Sequence, residues 1–286
     1  MTPILAVRDL VKTYPTFRLD RVGFTLEEGR ITGFLGRNGA GKTTTLHLLL
    51  GLLRPDGGEI CFRGQSLRTH EREIKQRVGF VSAGLSFYRR KKLSAVTNVV
   101  RSFYDSWDDA VCRRCMDRFG LDAGKTAEQL SNGMKIKYQL ALALSHGADL
   151  LILDEPTSGL DPVSREDLLE LFLDLRDQGA TILFSTHITS DLDKTADRIL
   201  LLTGGHLRAD CSLSELLAAY RLAEYEKSNP AAASPLLIGP RRTRTGLAAL
   251  VRAEDAAALP LPTRAPTLDE IFVHLEKEEA PCSSNC

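Results

Sequence analysis

Eight consecutive residues, 36–43 (GRNGAGKT), have the types and spacing that most clearly indicate chemistry in this sequence. They fit G-x-x-x-x-G-K-[ST] between an apolar run and a stretch of helical apolar spacing. Glycines let a backbone wrap around phosphate oxygens, and amides at a helix N-terminus supply a positive field. Lys42 can reach terminal phosphates, and the Thr43 hydroxyl can ligate Mg2+. The segment predicts an ATP site with Mg2+, whose expected contacts are Gly36, Asn38, Gly39, Gly41, Lys42, Thr43 and Thr44.

A second group of candidate residues follows an apolar run at 150–153, which ends in Asp154 and Glu155. A strand that ends in an acid places a carboxylate at the edge of an α/β sheet where ligands bind. Asp154 could then hold Mg2+, and Glu155 could polarise a water molecule in line with the γ-phosphate. Many strands end in acids, so this pattern gains its meaning from the phosphate loop that precedes it.

The elements that must position these residues alternate between strands and helices. Short apolar runs that predict strands occur at 31–35, 150–153, 180–185 and 198–202, and helical patterns separate them. This alternation predicts an α/β domain whose parallel sheet is covered on both faces.

Three other parts of the chain have a different character. Residues 4–10 and 22–28 alternate apolar and polar side chains, which predicts half-buried antiparallel strands. Residues 94–147 are helical in pattern, and the sequence changes character after Gly204 and Gly205, with stretches rich in Pro, Ser or Arg. We therefore predict a main domain at 1–210, which includes a helical subdomain at about 84–147, and a small accessory region at 211–286.

Three further motifs complete a recognisable pattern: LSNGM at 130–134, SGLD at 158–161 and STH at 185–187. Together with the phosphate loop and the acidic pair, they strongly resemble the ATP-binding cassette (ABC) family of nucleotide-binding domains, in order and approximate spacing. The resemblance covers residues 4 to about 210. It implies a P-loop NTPase core with an N-terminal antiparallel β subdomain and a helical signature subdomain.

The resemblance also implies roles for individual residues. Tyr14 would stack on adenine, and Asp161 would lie at a dimer seam. Ser131 and Gly133 would cap the γ-phosphate of ATP held by an opposing subunit, and His187 would position the attacking water together with the catalytic glutamate. Taken without the family pattern, His187 is an ordinary histidine at a strand end and Tyr14 is a packing aromatic.

Two positions depart from the family pattern. The signature is usually LSGGQ, and Asn132 and Met134 differ from it here. Ala83 occupies the position of a glutamine that usually touches Mg2+ or water and reports nucleotide state to a membrane partner. This second departure affects coupling more than ATP binding. The tail at 266–272 (PTLDEIF) resembles the ending of ATPase subunits of bacterial drug, antibiotic and peptide exporters.

Composition limits the functional classes. The 286 residues include 37 Lys plus Arg and 37 Asp plus Glu, and this balance argues against a broad nucleic-acid-binding face. No apolar stretch reaches the roughly 18 to 20 residues that span a bilayer. We therefore expect a cytoplasmic protein on the inner face of the membrane, with its spans in another chain. Cys112 and Cys115 lack a second ligand pair nearby, which favours reduced thiols over a metal site.

The leading hypothesis is the ATP-hydrolysing subunit of a bacterial ABC transporter, acting as a homodimer or heterodimer and powering a separate permease. Export of a drug, antibiotic, peptide or lipid-like substrate follows from the tail resemblance. One alternative is a soluble cassette ATPase that acts on ribosomes, DNA or cluster assembly. Another is a non-hydrolysing regulatory subunit, which Ala83 suggests and which Glu155 and His187 oppose.

Overall fold

The fold is described from a computed structural model, which describes residues 3–82 and 88–278. Its strands are β1 (Leu5–Tyr14), β2 (Phe17–Leu26), β3 (Ile31–Leu35), β4 (Gly57–Phe62), β5 (Gln65–Ser66), β6 (Val78–Ser82), β7 (Leu150–Asp154), β8 (Thr181–Thr186), β9 (Arg198–Thr203), β10 (His206–Ser212), β11 (Tyr220–Tyr225), β12 (Ile238–Arg242), β13 (Leu247–Arg252) and β14 (Thr263–Arg264). Its helices are α1 (Lys42–Leu49), α2 (Glu71–Arg77), α3 (Leu93–Arg101), α4 (Asp109–Arg118), α5 (Asn132–Ser145), α6 (Pro162–Asp177), α7 (Thr189–Thr195), α8 (Leu213–Ala218) and α9 (Leu268–Glu278).

The central sheet has the strand order β10-β9-β3-β8-β7-β6. Its strands run parallel except for β10, which pairs antiparallel with β9 at one edge. The predicted parallel α/β core is thereby confirmed. Parallel strands bring their carboxyl ends to one edge of the sheet. Because β3, β8 and β7 are neighbours, the segments that follow them lie side by side at that edge.

Successive side chains of a strand point to opposite faces of the sheet, and in the central sheet both faces are buried. On one face, Ile31, Leu151 and Ile182 join a core with apolar residues of α5, α6 and α7. On the other face, Phe34 and Ile152 join a core with residues of α1, α2 and an antiparallel sheet of order β2-β1-β4-β5. This burial on both sides explains why the strands read as continuous apolar runs. The predicted N-terminal antiparallel strands are confirmed. β1 continues past the predicted end to Tyr14, and β2 begins earlier than predicted, at Phe17, and ends at Leu26.

The helices α3, α4 and α5 form a region with a small core of its own. Val96, Met116 and Tyr138 belong to this core, and the Tyr138 hydroxyl donates to the carbonyl of Leu93 at 3.0 Å. Burial raises the pKa of Tyr138 to about 12, so the hydroxyl stays protonated as a donor. The predicted helical character of this part of the chain agrees with the described elements, while the exact domain boundaries stay a prediction.

The C-terminal region contains a third sheet, of order β12-β13-β11-β14, which the sequence analysis did not predict. The first helix of this region, α8, begins at a capping box that Ser212 and Glu215 form. One face of this sheet, with Leu222 and Leu250, joins the core of the main domain, and so does Ile271 of α9. The accessory region is therefore packed against the ATP-binding part of the chain. No helix within the described ranges has the length and apolarity needed to cross a membrane.

Candidate nucleotide-binding site

The glycine-rich loop lies between β3 and α1, which begins at Lys42. Two of its glycines are required for steric reasons. A Cβ atom at Gly36 would lie 2.5 Å from the carbonyl oxygen of Leu202, and one at Gly41 would lie 2.7 Å from Phe17 Cζ. Gly41 also has a φ of 109°, in the left-handed region. The backbone can therefore curl in front of the α1 N-terminus, where free amides favour an anion.

Lys42 is the buried cation of this loop, with only 5% of its surface exposed. Its Nζ donates to the carbonyl of Gly36 at 2.6 Å and to that of Arg37 at 3.2 Å. The same Nζ lies 3.1 Å from Glu155 Oε1, but that buried oxygen accepts no hydrogen bond. The contact is therefore an ion pair whose geometry does not meet that of a hydrogen bond. Phosphate oxygens could replace these carbonyls as stronger, charged acceptors.

Asp154 ends β7 within reach of the loop, and its carboxylate is buried. The Thr43 hydroxyl donates to it at 3.1 Å, and the Ser185 hydroxyl donates at 2.6 Å. A hydroxyl and a carboxylate are the hard oxygen ligands that Mg2+ prefers. The donor set of Thr43 and Asp154 therefore fits the metal, and Ser185 orients the carboxylate from behind.

Glu155 is the first residue after β7 and has an unusual backbone conformation, with a φ of 48°. A left-handed φ at a residue other than glycine costs about 1–3 kcal/mol and persists where surrounding contacts demand it. Here the amide of Glu155 donates to Ser185 Oγ at 2.9 Å. Its Oε2 lies 2.9 Å from Nδ1 of His187, the residue that follows β8. The strained turn therefore aims the carboxylate towards both Lys42 and His187.

Four further predicted residues lie at the periphery of this cluster. Asn38 and Gly39 are exposed on the loop, and Thr44 is half-buried in the first turn of α1. Tyr14 ends β1 with 36% of its surface exposed. Its ring centroid lies 6.4 Å from that of Phe17, the ring that would meet a Cβ at Gly41. The Phe17 ring therefore lies between Tyr14 and Gly41 of the loop.

The signature residues lie at helix starts outside this cluster. Ser131 is the N-cap of α5 and accepts a hydrogen bond from the Met134 amide at 3.2 Å, while Gly133 lies in the first turn. Asp161 is the N-cap of α6, and hydrogen bonds from Ser164 lower the pKa of its carboxyl. Their other expected roles require a second subunit and stay predictions.

Sequence reasoning missed a buried network next to Glu155. Asp191 on α7 is 1% exposed, accepts from Thr157 Oγ1 at 2.6 Å and pairs with Arg165 on α6 at 2.6 Å. A buried carboxylate needs such partners. The network ties the segment after Glu155 to both helices. Its members are spread over 34 residues, so no local motif signals it.

A buried glutamine of α5 lies against the end of β6, beside position 83. Gln139 on α5 is 3% exposed, and its side-chain amide bonds both the amide and the carbonyl of Ser82, at 3.0 and 3.1 Å. This pair of hydrogen bonds ties the end of β6 to α5, which begins within the LSNGM signature motif and is the signature helix of this chain. Ala83 itself lies outside the described residues.

The fold and these contacts define a P-loop nucleoside triphosphatase. Comparison with known proteins identifies the family. A family model described as ABC transporter matches residues 19–158. The bacitracin transport ATP-binding protein of Bacillus licheniformis is 34% identical over 76% of this chain and 72% of its own. An uncharacterised ABC transporter ATP-binding protein of Nostoc sp. is 35% identical over 79% of this chain and 71% of its own.

A solved structure of the ATP-binding subunit of an ABC transporter superposes with a TM-score of 0.67 and 28% identity, covering 74% of this chain and 91% of that one. The chain belongs to the ABC transporter family as an ATP-binding subunit. It is an ATPase whose hydrolysis of ATP is coupled to transport. The comparisons therefore favour a transporter subunit over the soluble cassette alternative.

Proposed function

We propose that this subunit binds ATP with Mg2+ on residues 36–43, hydrolyses it in a site completed by a second subunit, and drives a separate permease. The observation that carries the proposal is the meeting of Lys42, Glu155 and His187 at the carboxyl ends of adjacent strands. A cation, a carboxylate and an imidazole within contact distance are the groups that attack of water on a γ-phosphate requires.

Each residue of this cluster has a distinct role in the proposed reaction. Lys42 binds terminal phosphate oxygens in exchange for the loop carbonyls it now bonds. Once Lys42 binds phosphate, Oε1 of Glu155 is free to accept a proton from the attacking water. His187 holds the other carboxylate oxygen of Glu155, Oε2. Mg2+ bound at Thr43 and Asp154 would neutralise phosphate charge.

A second subunit supplies the other half of the site in this proposal. The starts of α5 and α6 contain the residues proposed for this half: Ser131, Gly133 and Asp161. Ser131 and Asp161 are exposed, and Gly133 is half-buried. Val163, beside Asp161, has 71% of its surface exposed, which is high for a large apolar side chain. Helix N-termini favour anions, so these residues are suited to face the γ-phosphate of ATP bound by another subunit. A homodimer suffices, since this chain contains both halves.

A groove on the surface supports the proposed permease contact. It has a volume of about 380 Å³ and lies between the end of α1 and the helices α3 and α5. Leu52 and Phe103 line it with 57% and 69% of their surfaces exposed. Exposed apolar side chains around a groove indicate a binding surface. Gln139 also lines this groove and bonds Ser82, so a segment of the permease seated there would lie against the signature helix.

Export is the favoured direction of transport, and the inner, cytoplasmic face of the membrane is the proposed location. Two observations support export: the tail at 266–272 resembles exporter subunits, and one relative is a bacitracin transport protein. The substrate class would be a drug, antibiotic, peptide or lipid-like molecule. A regulatory subunit without hydrolysis is disfavoured, because Glu155 and His187 are in contact.

Substitution of Glu155 by Gln tests the hydrolytic site. Phosphate release by the purified protein should fall by about 100-fold or more, while ATP-dependent dimers accumulate on size-exclusion chromatography. Glu170→Gln, at an exposed carboxylate of α6, is the matched control and should hydrolyse normally. Unchanged turnover in the Glu155 variant would remove this residue from the mechanism.

Affinity purification from membranes tests the partner. The wild-type protein should bring down a polytopic protein, and Phe103→Asp should reduce its recovery. Arg114→Asp, at an exposed position of α4 outside the groove, is the control that should leave recovery unchanged. Recovery of only ribosomal or DNA-associated proteins would contradict the permease proposal.

A further inference from the structure

The last helix, α9, is attached on one side to the accessory sheet. His274 donates through Nδ1 to the carbonyl of Gly239 at 2.7 Å, and Lys277 donates to the carbonyl of Pro240 at 2.8 Å. The approach is close, because a Cβ at Gly239 would lie 2.0 Å from the carbonyl oxygen of His274. Burial lowers the pKa of His274, which favours the neutral ring as a donor to this carbonyl. A shift of α9 would therefore move β12 as well or break these two hydrogen bonds.

A carboxylate near the N-terminus of α9 contacts the helix that follows the catalytic histidine. Asp269 Oδ1 accepts a hydrogen bond from Thr189 Oγ1 at 3.1 Å. Thr189 is buried, is the first residue of α7, and follows His187 by two positions. Between them, the amide of Ile188 donates to Thr186 Oγ1 at 3.0 Å. Asp269 thus holds the downstream end of the short segment that contains His187.

A second carboxylate of α9 lies behind the phosphate loop. Glu276 Oε1 accepts from the buried Thr203 hydroxyl at 2.9 Å, and its Oε2 lies 4.0 Å from Arg37 Nε within the loop. Thr203 follows Leu202, whose carbonyl oxygen is the atom that a Cβ at Gly36 would meet at 2.5 Å. Glu276 therefore supports the piece of β9 against which the loop begins.

These two contacts belong to one side of one helix. Asp269 and Glu276 are seven residues apart, which is close to two helical turns, so both point in similar directions. Asp269 also faces Asp193 of α7, whose pKa is raised first by burial and second by the charge of Asp269. Two facing carboxylates do not favour tight docking, so the Thr189 contact is not explained by charge attraction between α7 and α9.

We propose that Asp269 and Glu276 are positioning residues through which the accessory region sets the geometry of the ATP site. Asp269 acts on His187 through Thr189, and Glu276 acts on the phosphate loop through Thr203 and Arg37. Neither residue touches nucleotide. The inference rests on the proposed roles of His187 and of residues 36–43, and it adds a physical connection from β12 to both.

The first test compares Asp269→Ala with wild type in steady-state ATP hydrolysis by the full chain. Loss of one hydrogen bond should lower kcat roughly threefold to tenfold, with KM for ATP within twofold. Asp269→Asn keeps an acceptor for Thr189 and should restore kcat. Glu270→Gln is the matched control, because Glu270 lies on the same helix but pairs with Arg264 of the accessory sheet, and its kcat should match wild type.

Thr189→Val, which replaces the hydroxyl by a methyl group of similar size, tests the same contact from the other side. It should reproduce the loss of kcat, and adding Asp269→Ala should produce no further loss. Additive losses, wild-type kcat in Thr189→Val, or failure of Asp269→Asn to restore kcat would overturn this part of the proposal. If Asp269 had a purely structural role, Asp269→Ala would lower the melting temperature but would not lower kcat selectively while KM stays unchanged.

The second test concerns Glu276. Glu276→Ala should raise KM for ATP about threefold with kcat within twofold, since the loop loses support from behind. Glu276→Gln still accepts from Thr203 and removes a negative charge near bound phosphate, so its KM should equal the wild-type value or lie below it. Wild-type KM in Glu276→Ala, or equal KM in both variants, would contradict the proposal.

His187→Ala separates this inference from the proposed function. If His187→Ala loses turnover while Asp269→Ala, Thr189→Val and Glu276→Ala keep wild-type kcat and KM, the inference is wrong and the proposed site stands. If His187→Ala and Lys42→Ala both hydrolyse ATP at the wild-type rate, the proposed site is wrong, and the inference fails with it.

Discussion

The two halves of the proposed composite site differ in how they are held. On the phosphate-loop half, Lys42, Asp154 and Glu155 contact one another or each other's partners, and Lys42 and Asp154 are at least nine-tenths buried. On the signature half, Ser131 and Asp161 are exposed and cap their own helices. The first half is assembled within one chain. The second half consists of exposed helix starts, which suits the proposal that another subunit completes the site.

The largest expected effect is on the assembled half. Lys42→Ala should weaken ATP binding by about 100-fold or more, because it removes the buried cation of the loop. Titration with a fluorescent ATP analogue measures this. Lys75→Ala, at a half-exposed lysine paired with Glu71 on α2, should bind ATP normally. Tight binding by Lys42→Ala would refute the phosphate-loop assignment.

The next effect tests the exposed half. Ser131→Asp keeps an N-cap acceptor for α5, since Asp caps helices as well as Ser, but it places a negative charge towards the partner's phosphate. We expect a melting temperature near that of wild type, ATP binding to the monomer unchanged, and hydrolysis reduced by about 10-fold or more. Ser212→Asp, at the equivalent cap of α8, is the control for which hydrolysis should not change. Normal hydrolysis in Ser131→Asp would remove this residue from the composite site.

A smaller effect is expected for adenine stacking. Tyr14→Ala should raise KM for ATP by about three- to tenfold, the value of one aromatic contact, while kcat stays within twofold. Tyr14→Phe retains the ring and should bind like wild type. Equal KM in the wild-type, Ala and Phe proteins would indicate that Tyr14 is only a packing aromatic beside Phe17.

The smallest effect concerns the cap at Asp161. Asp161→Ala should lower the melting temperature by about 2 °C at pH 7, because two amides of α6 lose their acceptor. The pKa of Asp161 is below the ordinary 3.8, so the stabilisation is present above pH 3.8 and is lost as the pH falls through the lowered pKa. The difference in melting temperature between wild type and variant should therefore vanish in strong acid. A constant difference across that range would contradict an ionised cap.

Local motifs predicted much of the fold and most of the candidate site. The apolar runs predicted β3, β7, β8 and β9 of the central sheet, because parallel strands are buried on both sides and carry few polar residues. The loop at 36–43 was predicted because its glycines and lysine all fall within eight consecutive residues. The accessory sheet was missed, since β12 falls in a stretch rich in Pro, Ser and Arg and its pairing with β13 depends on the folded context.

The sequence by itself determined the phosphate loop, the acidic pair and the order of the motifs, because the residues of each are neighbours along the chain. Only the tertiary structure decided which distant residues support them. Ser185 bonds Asp154 across 31 positions, Gln139 holds Ser82 across 57, and Asp269 reaches Thr189 across 80. Contacts at such separation arise from strand order and helix packing, which a local pattern does not encode.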